Sequence, residues 1–529
     1  MRKIGLLLLA VGVLGLLSLG QEPRYGGTLV IGSSQTFKDL DPRICNDVYS
    51  MYVINAVFDE LLSLDPDTLK PAPYVAKSWE ISEDGAEITF YLHEGIKFHN
   101  GEPLTAEDVA FTFNWIADPA NASPNQTEFE WLQEVVVIDD YTVKFITKPD
   151  WAPYAPALLG ENYAIVPKDT VLEMGDEEFN LNPVGSGPFK FVEWKRGDHI
   201  TVVRNEDYWL TKPYLEKIIF RPIPNLATMM LELETGGIDI ADNVPAQDAK
   251  RFMENPDLGV VVQQIPSLSY FYLGFNMSKP PGNDIRFRKA VYMSFDTTAA
   301  VDAVFQNLTG LRAYGAVPPA LWANDREFLK TIALSEDDEQ AKALFDELKA
   351  EGVIPPGYKA VIYCPPDPRR VQISTVVATN LIENGIDAEV QPLEWGPYLD
   401  LLYRSEEKPE GEYDMYVIGW SGSPDPNAFL YYLFTSENAT VGTANNFSFY
   451  MNERVDTLIK YAGTTLDPDI REPLYVAAQR IIFKDIVHIP LYHYIETRGV
   501  RTRVHDYRVS PTAAMDIVSP FNNVWVEEG

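Results

Sequence analysis

The sequence predicts an α/β protein with more than one lobe. Three observations carry this. The chain has 529 residues, too many for a single hydrophobic core, and 46% of them are apolar. Residues 360–390 run strand, helix, strand: 360–363, then 371–383 closed by Asn384-Gly385, then 386–390. Strand patterns also recur far from that unit, at 26–32 and again at 413–420.

The first residues read as an export leader. Arg2 and Lys3 precede an apolar run over 4–17, and Ser18-Leu19-Gly20 supplies small residues for cleavage before Gln21. The run is short for a membrane span, which takes about 20 residues. No cysteine follows it directly, so no lipid anchor is expected. The mature chain is expected in a periplasm, or otherwise outside the cytoplasm. Its net charge of −34 argues against nucleic acid and anionic membrane surfaces as partners.

Glycines bound a short buried strand at 26–32, and Phe37 lies in the polar loop that follows. Tyr52, Val53, Ala56, Val57 and Leu61 lie at helical spacing, which predicts a helix over 49–62. Ile88, Phe90 and Leu92 alternate with Glu87, Thr89, Tyr91 and His93, predicting a half-buried strand in a hairpin with Trp79-Glu80-Ile81. Thr105 is placed to cap a helix, with Asp108 at the capping-box position and Ala106, Val109, Ala110 and Phe113 as its apolar stripe. Strands are expected at 134–138 and 142–146, with a Pro-rich stretch at 151–156. The turn cluster at 182–189 leads into a strand at 189–193. Neither a helix pattern nor a Lys-Ser/Thr pair follows its glycines, so they do not read as a phosphate loop. A helix at 227–234 stops at Gly236-Gly237, before a strand at 238–240. Strand 271–276 precedes a helix opened by Asp284. Further helices are expected at 341–350 and 474–483, before an apolar strand at 489–494.

The run 92–109, Leu-His-Glu-Gly-Ile-Lys-Phe-His-Asn-Gly-Glu-Pro-Leu-Thr-Ala-Glu-Asp-Val, resembles the signature of the family 5 extracellular solute-binding proteins. These are the peptide- and nickel-type receptors of ABC importers. The cluster at 182–189, the triplet Asp207-Tyr208-Trp209, the ending Gly237-Ile238-Asp239-Ile240 and the helix Asp284-Ile285-Arg286-Phe287-Arg288 resemble that family in the same order. The resemblance covers essentially the whole mature chain. It implies a two-lobed periplasmic-binding-protein fold of type II, the large peptide-receptor kind. The first lobe would be discontinuous, from 21–62, 182–271 and 494–529. A subdomain would be inserted at 63–181, and the second lobe would run over 272–493. Ligand would lie between lobes that close about a hinge. Cys45 and Cys364 would fall in different lobes, so two separate thiols are expected.

The functional expectation is an exported receptor that captures oligopeptides and hands them to a membrane permease. It needs no catalytic residue, cofactor or metal, and it is expected to be a monomer. One alternative is an oligosaccharide receptor of the same family, and another, from a different class, is a secreted hydrolase. Against hydrolysis, Gly419-Trp420-Ser421-Gly422-Ser423 has serine where a nucleophile elbow needs its last glycine. The six histidines include no zinc-type pair at i,i+4, so His93 and His99 read as structural. Carboxylates are too abundant for any chosen pair to carry meaning, and Glu336-Asp337-Asp338 reads as a solvated helix start.

Ligand-binding candidates sit at strand ends, where open α/β sheets bind ligands. They are Phe37, Tyr270, Arg370 with its neighbour Arg369, Trp395 and Trp420. The resemblance adds a test. Peptide-binding members commonly carry an aspartate three residues after the tryptophan that matches Trp420, and it pairs with the peptide's amino group. Here Ser423 stands at that place, and Asp425 is the candidate replacement. The departure favours a neutral ligand such as an oligosaccharide unless Asp425 serves.

Overall fold

The computed structural model describes residues 22–148, 159–160, 163–403, 408–440 and 445–527. The leader and the Pro-rich stretch 151–156 lie outside the described residues. One mixed sheet of twelve strands runs through the molecule. Its strands are β1 (Thr28–Ser33), then β6 (Phe189–Lys195), β7 (His199–Arg204), β8 (Lys217–Pro222) and β9 (Ile240–Ala241). The remaining members are β10 (Val260–Pro266), β11 (Ser269–Phe275), β12 (Gly310–Arg312), β13 (Lys359–Cys364), β14 (Asp387–Pro392), β15 (Met415–Ser421) and β16 (His488–Arg501). The order is β14-β13-β15-β11-β16-β9-β1-β8-β7-β6, with β10 and β12 also paired to β16. A separate four-stranded antiparallel sheet holds β2 (Ala76–Ile81), β3 (Glu87–Leu92), β5 (Thr142–Thr147) and β4 (Leu132–Asp139) in that order.

The small sheet follows its hydrophobic pattern. Ile88, Phe90 and Leu92 are fully buried, and Trp79 lies opposite Phe90 across the hairpin. Helix α2 (Ala106–Ala117) covers this sheet with Val109 and Phe113. Its start is held by the Asp108 carboxylate, which accepts from the Thr105 backbone N–H at 2.8 Å and from Lys168 N–H at 2.9 Å.

Helix α1 spans Val48–Val57, ending five residues before the spacing predicts. Glycines explain the stop. A Cβ on Gly185 would lie 2.0 Å from the Val57 carbonyl oxygen, and one on Gly187 would lie 2.6 Å from its carbon. The glycine loop therefore abuts the helix end, and Gly187 N–H donates to Val57 C=O at 2.9 Å. Phe58 turns extended, and Leu61 enters the core of the small sheet instead of extending the helix stripe. His99 of the signature clamps the same loop. Its backbone N–H donates to Gly185 C=O at 2.7 Å and its Nε2 lies 3.0 Å from Gly187 C=O. Burial pushes its imidazole down to about 4, so it serves as a neutral brace.

The strand expected at 238–240 is shifted to β9, because Ile238 N–H closes the end of helix α3 (Leu226–Thr235) by donating to Glu232 C=O. Helices α4 (Ile285–Met293), α5 (Asp338–Ala350) and α6 (Pro368–Glu383) cover one face of β11, β13 and β15. Asp337 caps α5 by accepting from Gln340 N–H at 2.9 Å, in keeping with the helix start read there. All seven residues of β11 are buried. Phe271, Leu273 and Phe275 feed the core beneath those helices, while Tyr270 and Tyr272 feed a second core on the other face. A strand covered on both sides reads as a continuous apolar run rather than an alternation. Cys45 and Cys364 are buried and unpaired in two different cores.

Two stretches of chain cross the middle of the large sheet. One is β16, whose first part pairs with β11 and whose second part pairs with β10 and β9. The other is Ser267-Leu268, between β10 and β11. Serines satisfy the backbone where the ladder changes partner. Ser267 N–H donates to Tyr494 C=O at 2.8 Å, and Ser269 Oγ accepts from Tyr494 N–H at 3.0 Å.

A recess of about 100 Å³ is lined by Phe58, Tyr74, Arg508 and Asp516 among others. Burial pushes the Asp516 carboxyl up to about 6, against a Ser519 hydrogen bond at 2.8 Å that pulls it down. Its folded-state pKa therefore lies above the ordinary value of 3.8. Stability from this group is present below that value and lost as pH rises through about 6. Asp516→Asn keeps the acceptor and removes the loss. We expect its gain over the unaltered protein, measured by urea unfolding, to grow from near zero at pH 4 to about 3 kcal/mol at pH 8, as roughly two pKa units imply. A gain independent of pH would contradict this.

Candidate functional site

Both halves of the large sheet present the carboxyl ends of parallel strands to one gap. In the first half β1 runs parallel to β8 and β9, and their ends lead into Ser34 and Asp242. In the second half β13 runs parallel to β14 and β15. Their ends lead to Arg369 at the start of α6, to Trp395 at the start of α7 (Trp395–Leu402) and to Trp420. A cavity of about 310 Å³ lies between the two edges, with the crossing strand β16 as its floor. Ser34, Tyr49 and Asp242 line it from one side, Thr309 and Arg369 from the other, and Tyr494 through Arg498 from beneath. Ligand-sized space at strand carboxyl ends, walled by both halves, is the expected binding position in open α/β sheets.

The walls are charged. The Arg369 side chain is half exposed. Its guanidinium lies 4.9 Å from the Tyr494 ring centroid and 2.8 Å from Asp367. Asp367 also caps α6, so it fixes the position of Arg369 through the helix start. Arg498 is buried and donates to Asp242 C=O, to Ala513 C=O at 3.1 Å and to Tyr52 Oη at 3.3 Å. The Asp242 carboxylate accepts from Ser34 N–H at 2.9 Å and from its hydroxyl at 3.2 Å. Burial pushes that carboxyl up to about 6, against the Arg498 charge and the Ser34 hydrogen bonds. His493 braces the floor, its Nδ1 2.6 Å from Ser269 C=O.

Of the residues singled out in the sequence, Arg369 lines this cavity and the other seven do not. Phe37 is 6% exposed and packs edge-on to Phe220 in the first core. Tyr270 is 1% exposed and stacks on Tyr272 in the core on the other face of β11. Both are core residues, because aromatic side chains next to a strand fill whichever face is covered. Asp425 is 3% exposed, and its carboxylate accepts two 3.0 Å hydrogen bonds from Arg471. It is a structural partner of that arginine and does not face a ligand.

The other four lie at or just beyond the ends of strands β13, β14 and β15. Arg370 lies over the Phe271 ring at 5.1 Å, while its neighbour Arg369 reaches the cavity. Trp395 is 50% exposed. Trp420 is partly buried, donates its indole N–H to Ala428 C=O at 2.7 Å and lies 5.7 Å from the Tyr432 ring. Ser423 is partly exposed in the following loop. The sequence reading missed Tyr494, Glu496 and Arg498. The signal was there: Glu496-Thr497-Arg498 interrupts an otherwise apolar strand, and a buried polar run needs partners.

Over residues 70–440 the chain matches the description "Bacterial extracellular solute-binding proteins, family 5 Middle". It is 27% identical over 495 residues to a dipeptide-binding protein of Escherichia coli K12, with 89% of each chain covered. The structure of HbpA2 from Haemophilus parasuis is similar with a TM-score of 0.84 at 26% identity, covering 95% of this chain and 100% of that one. The periplasmic binding protein DppA from Helicobacter pylori, solved in complex with the peptide STSA, is similar with a TM-score of 0.75 at 28% identity. That match covers 96% of this chain and 99% of the other.

Proposed function

The chain belongs to the family 5 bacterial extracellular solute-binding proteins, and from that premise we propose that it captures short peptides in the cavity between its two lobes. The family comprises non-enzymatic substrate-binding proteins of ABC transporters, and the fold is their mixed α/β periplasmic-binding-protein fold. Hydrolysis is therefore not carried further. Export by the leader and delivery to a membrane permease complete the proposed role. Among the described residues no helix is long and apolar enough to cross a membrane.

The observation that carries the peptide reading is a half-exposed guanidinium, Arg369, in a cavity walled by both lobes. A planar guanidinium matches a carboxylate in two-pronged fashion. The Nε and Nη2 atoms of Arg369 already donate to Asp367 at 3.3 and 2.8 Å, which leaves its outer Nη1–Nη2 edge for a ligand carboxylate. Trp395, Arg370 and Trp420 follow or end three adjacent strands, β14, β13 and β15, and would flank a longer ligand. Ligand contacts to both lobes exist only when the lobes are together. They would shift the population toward the closed form, the state offered to the permease. The two crossing stretches, at Ser267-Leu268 and within β16, are the proposed hinge. The proposed lobes meet there: 21–62, 182–271 and 494–529 with the 63–181 insertion on one side, and 272–493 on the other.

One observation favours an oligosaccharide instead. The Trp420–Tyr432 ring pair beside Ser423 offers stacking without a carboxylate. A thermal-shift panel of di- to pentapeptides and oligosaccharides separates the two, since a ligand that binds only the folded state raises its melting temperature. Peptides are expected to raise it. A shift with oligosaccharides alone would overturn the peptide reading. Arg369→Ala is expected to weaken peptide affinity about tenfold or more, the worth of a charge-assisted hydrogen bond. Calorimetric titration showing no change would remove Arg369 from the site.

A further inference from the structure

We propose that Glu496 receives the ammonium group of the ligand, supplying from the hinge strand the carboxylate that the loop after Trp420 lacks. This rests on the peptide reading above. Position 423 is serine, and Asp425 is committed to Arg471. Two other carboxylates border the cavity region, Asp242 and Asp367. Asp242 accepts from Ser34, and Asp367 from Arg369 and the α6 backbone. Both are occupied.

Glu496 differs. It lines the cavity, and its side chain is 21% exposed. Its one ion pair is with Arg498 Nη2 at 3.3 Å. That arginine is already bound to Asp242 C=O, Ala513 C=O and Tyr52 Oη. Among the described residues no hydrogen bond to the Glu496 carboxylate is present, so beyond that one 3.3 Å ion pair it keeps acceptor capacity toward the cavity it lines. An ammonium leaving water needs a charged acceptor, and a carboxylate held in place by a neighbouring guanidinium is one. The cavity then offers a cation, Arg369, and an anion, Glu496, to the two ends of a zwitterion. The ligand class that follows is peptides with a free amino terminus, rather than amino-blocked peptides or neutral sugars.

The test is calorimetric titration of the mature chain with trialanine and with N-acetyl-trialanine. The unaltered protein is expected to bind the free peptide at least about tenfold more tightly than the blocked one. Glu496→Gln is expected to remove that preference by weakening the free peptide alone, and Glu496→Asp to restore part of it. The acetylation contrast needs no variant, so a misfolded Gln variant leaves the proposal open to refutation. Equal affinity for both peptides in the unaltered protein overturns the proposal while sparing the peptide reading. So does an equal loss for both in Glu496→Gln. Failure of the unaltered protein to bind either peptide overturns both.

Discussion

Replacing Asp425 by alanine is expected to lower unfolding stability by about 3–5 kcal/mol, the usual cost of leaving one member of a buried ion pair alone. Arg471 is 6% exposed and donates to Asp425 at 3.0 Å, to Ala462 C=O at 3.0 Å and to Tyr475 Oη at 3.3 Å. The network continues through Tyr475 Oη to Asn427 Oδ1 at 3.0 Å, at the start of α8 (Asn427–Phe434). Asp425 also accepts from Asn427 N–H at 2.8 Å, so the substitution strips both the cation and the helix start. Helix α9 (Pro468–Lys484) carries Arg471 and Tyr475 and is thereby joined to the loop after Trp420. Urea unfolding reads the loss. The folded fraction of the variant is expected to keep its ligand affinity. Unchanged stability with lost affinity would mean that Asp425 faces the ligand after all.

Asp59→Ala is the second large effect, expected at about 3 kcal/mol or more. Asp59 is fully buried just beyond α1. Its carboxylate accepts from Tyr74 Oη at 2.7 Å, from Tyr208 Oη at 2.9 Å and from Trp209 Nε1 at 2.9 Å. Tyr74 leads into β2 of the small sheet, while Tyr208 belongs to the core around α1 and Trp209 packs against both cores. One carboxylate thus ties the two together. Burial pushes its pKa up, and the three donors pull it back down. Each buried donor left without an acceptor costs roughly 1–3 kcal/mol. Tyr74 and Tyr208 keep the 2.9 Å bond between them, which softens the loss. Asp59→Asn, which retains an acceptor oxygen, should fall between. A loss below 1 kcal/mol in urea unfolding would show that these donors find water or other partners.

Local signals were read well where the physics is local. The alternation through Ile88, Phe90 and Leu92, the Thr105–Asp108 cap and the strand–helix–strand order at β13, α6 and β14 all follow from short-range pattern. The end of α1 was not readable, because Leu61 continues the helical spacing and the stop comes from glycines 125 or more residues away. His99 and Gly185 belong to two separate motifs, and only the fold shows that they are one joint. The cavity lining was the least legible in the sequence. Strand-end reasoning named Arg369, which lines the cavity, together with Arg370, which does not. Aromatic residues misled at Phe37 and Tyr270, since a ring fills a core as readily as a cleft. The floor residues Tyr494 to Arg498 lie on a strand long enough to serve two cores. Its polar centre is intelligible once the crossing is seen.

The central claim is that a peptide is held between the two strand-end edges, touching both lobes. A crystal structure of the protein with trialanine at saturating concentration tests it most directly. The peptide is expected in the cavity above β16, with its carboxylate on Arg369 and contacts to Ser34 or Asp242 on the opposite wall. A peptide seated in the recess beside Asp516, or bound to one lobe alone, would contradict the account.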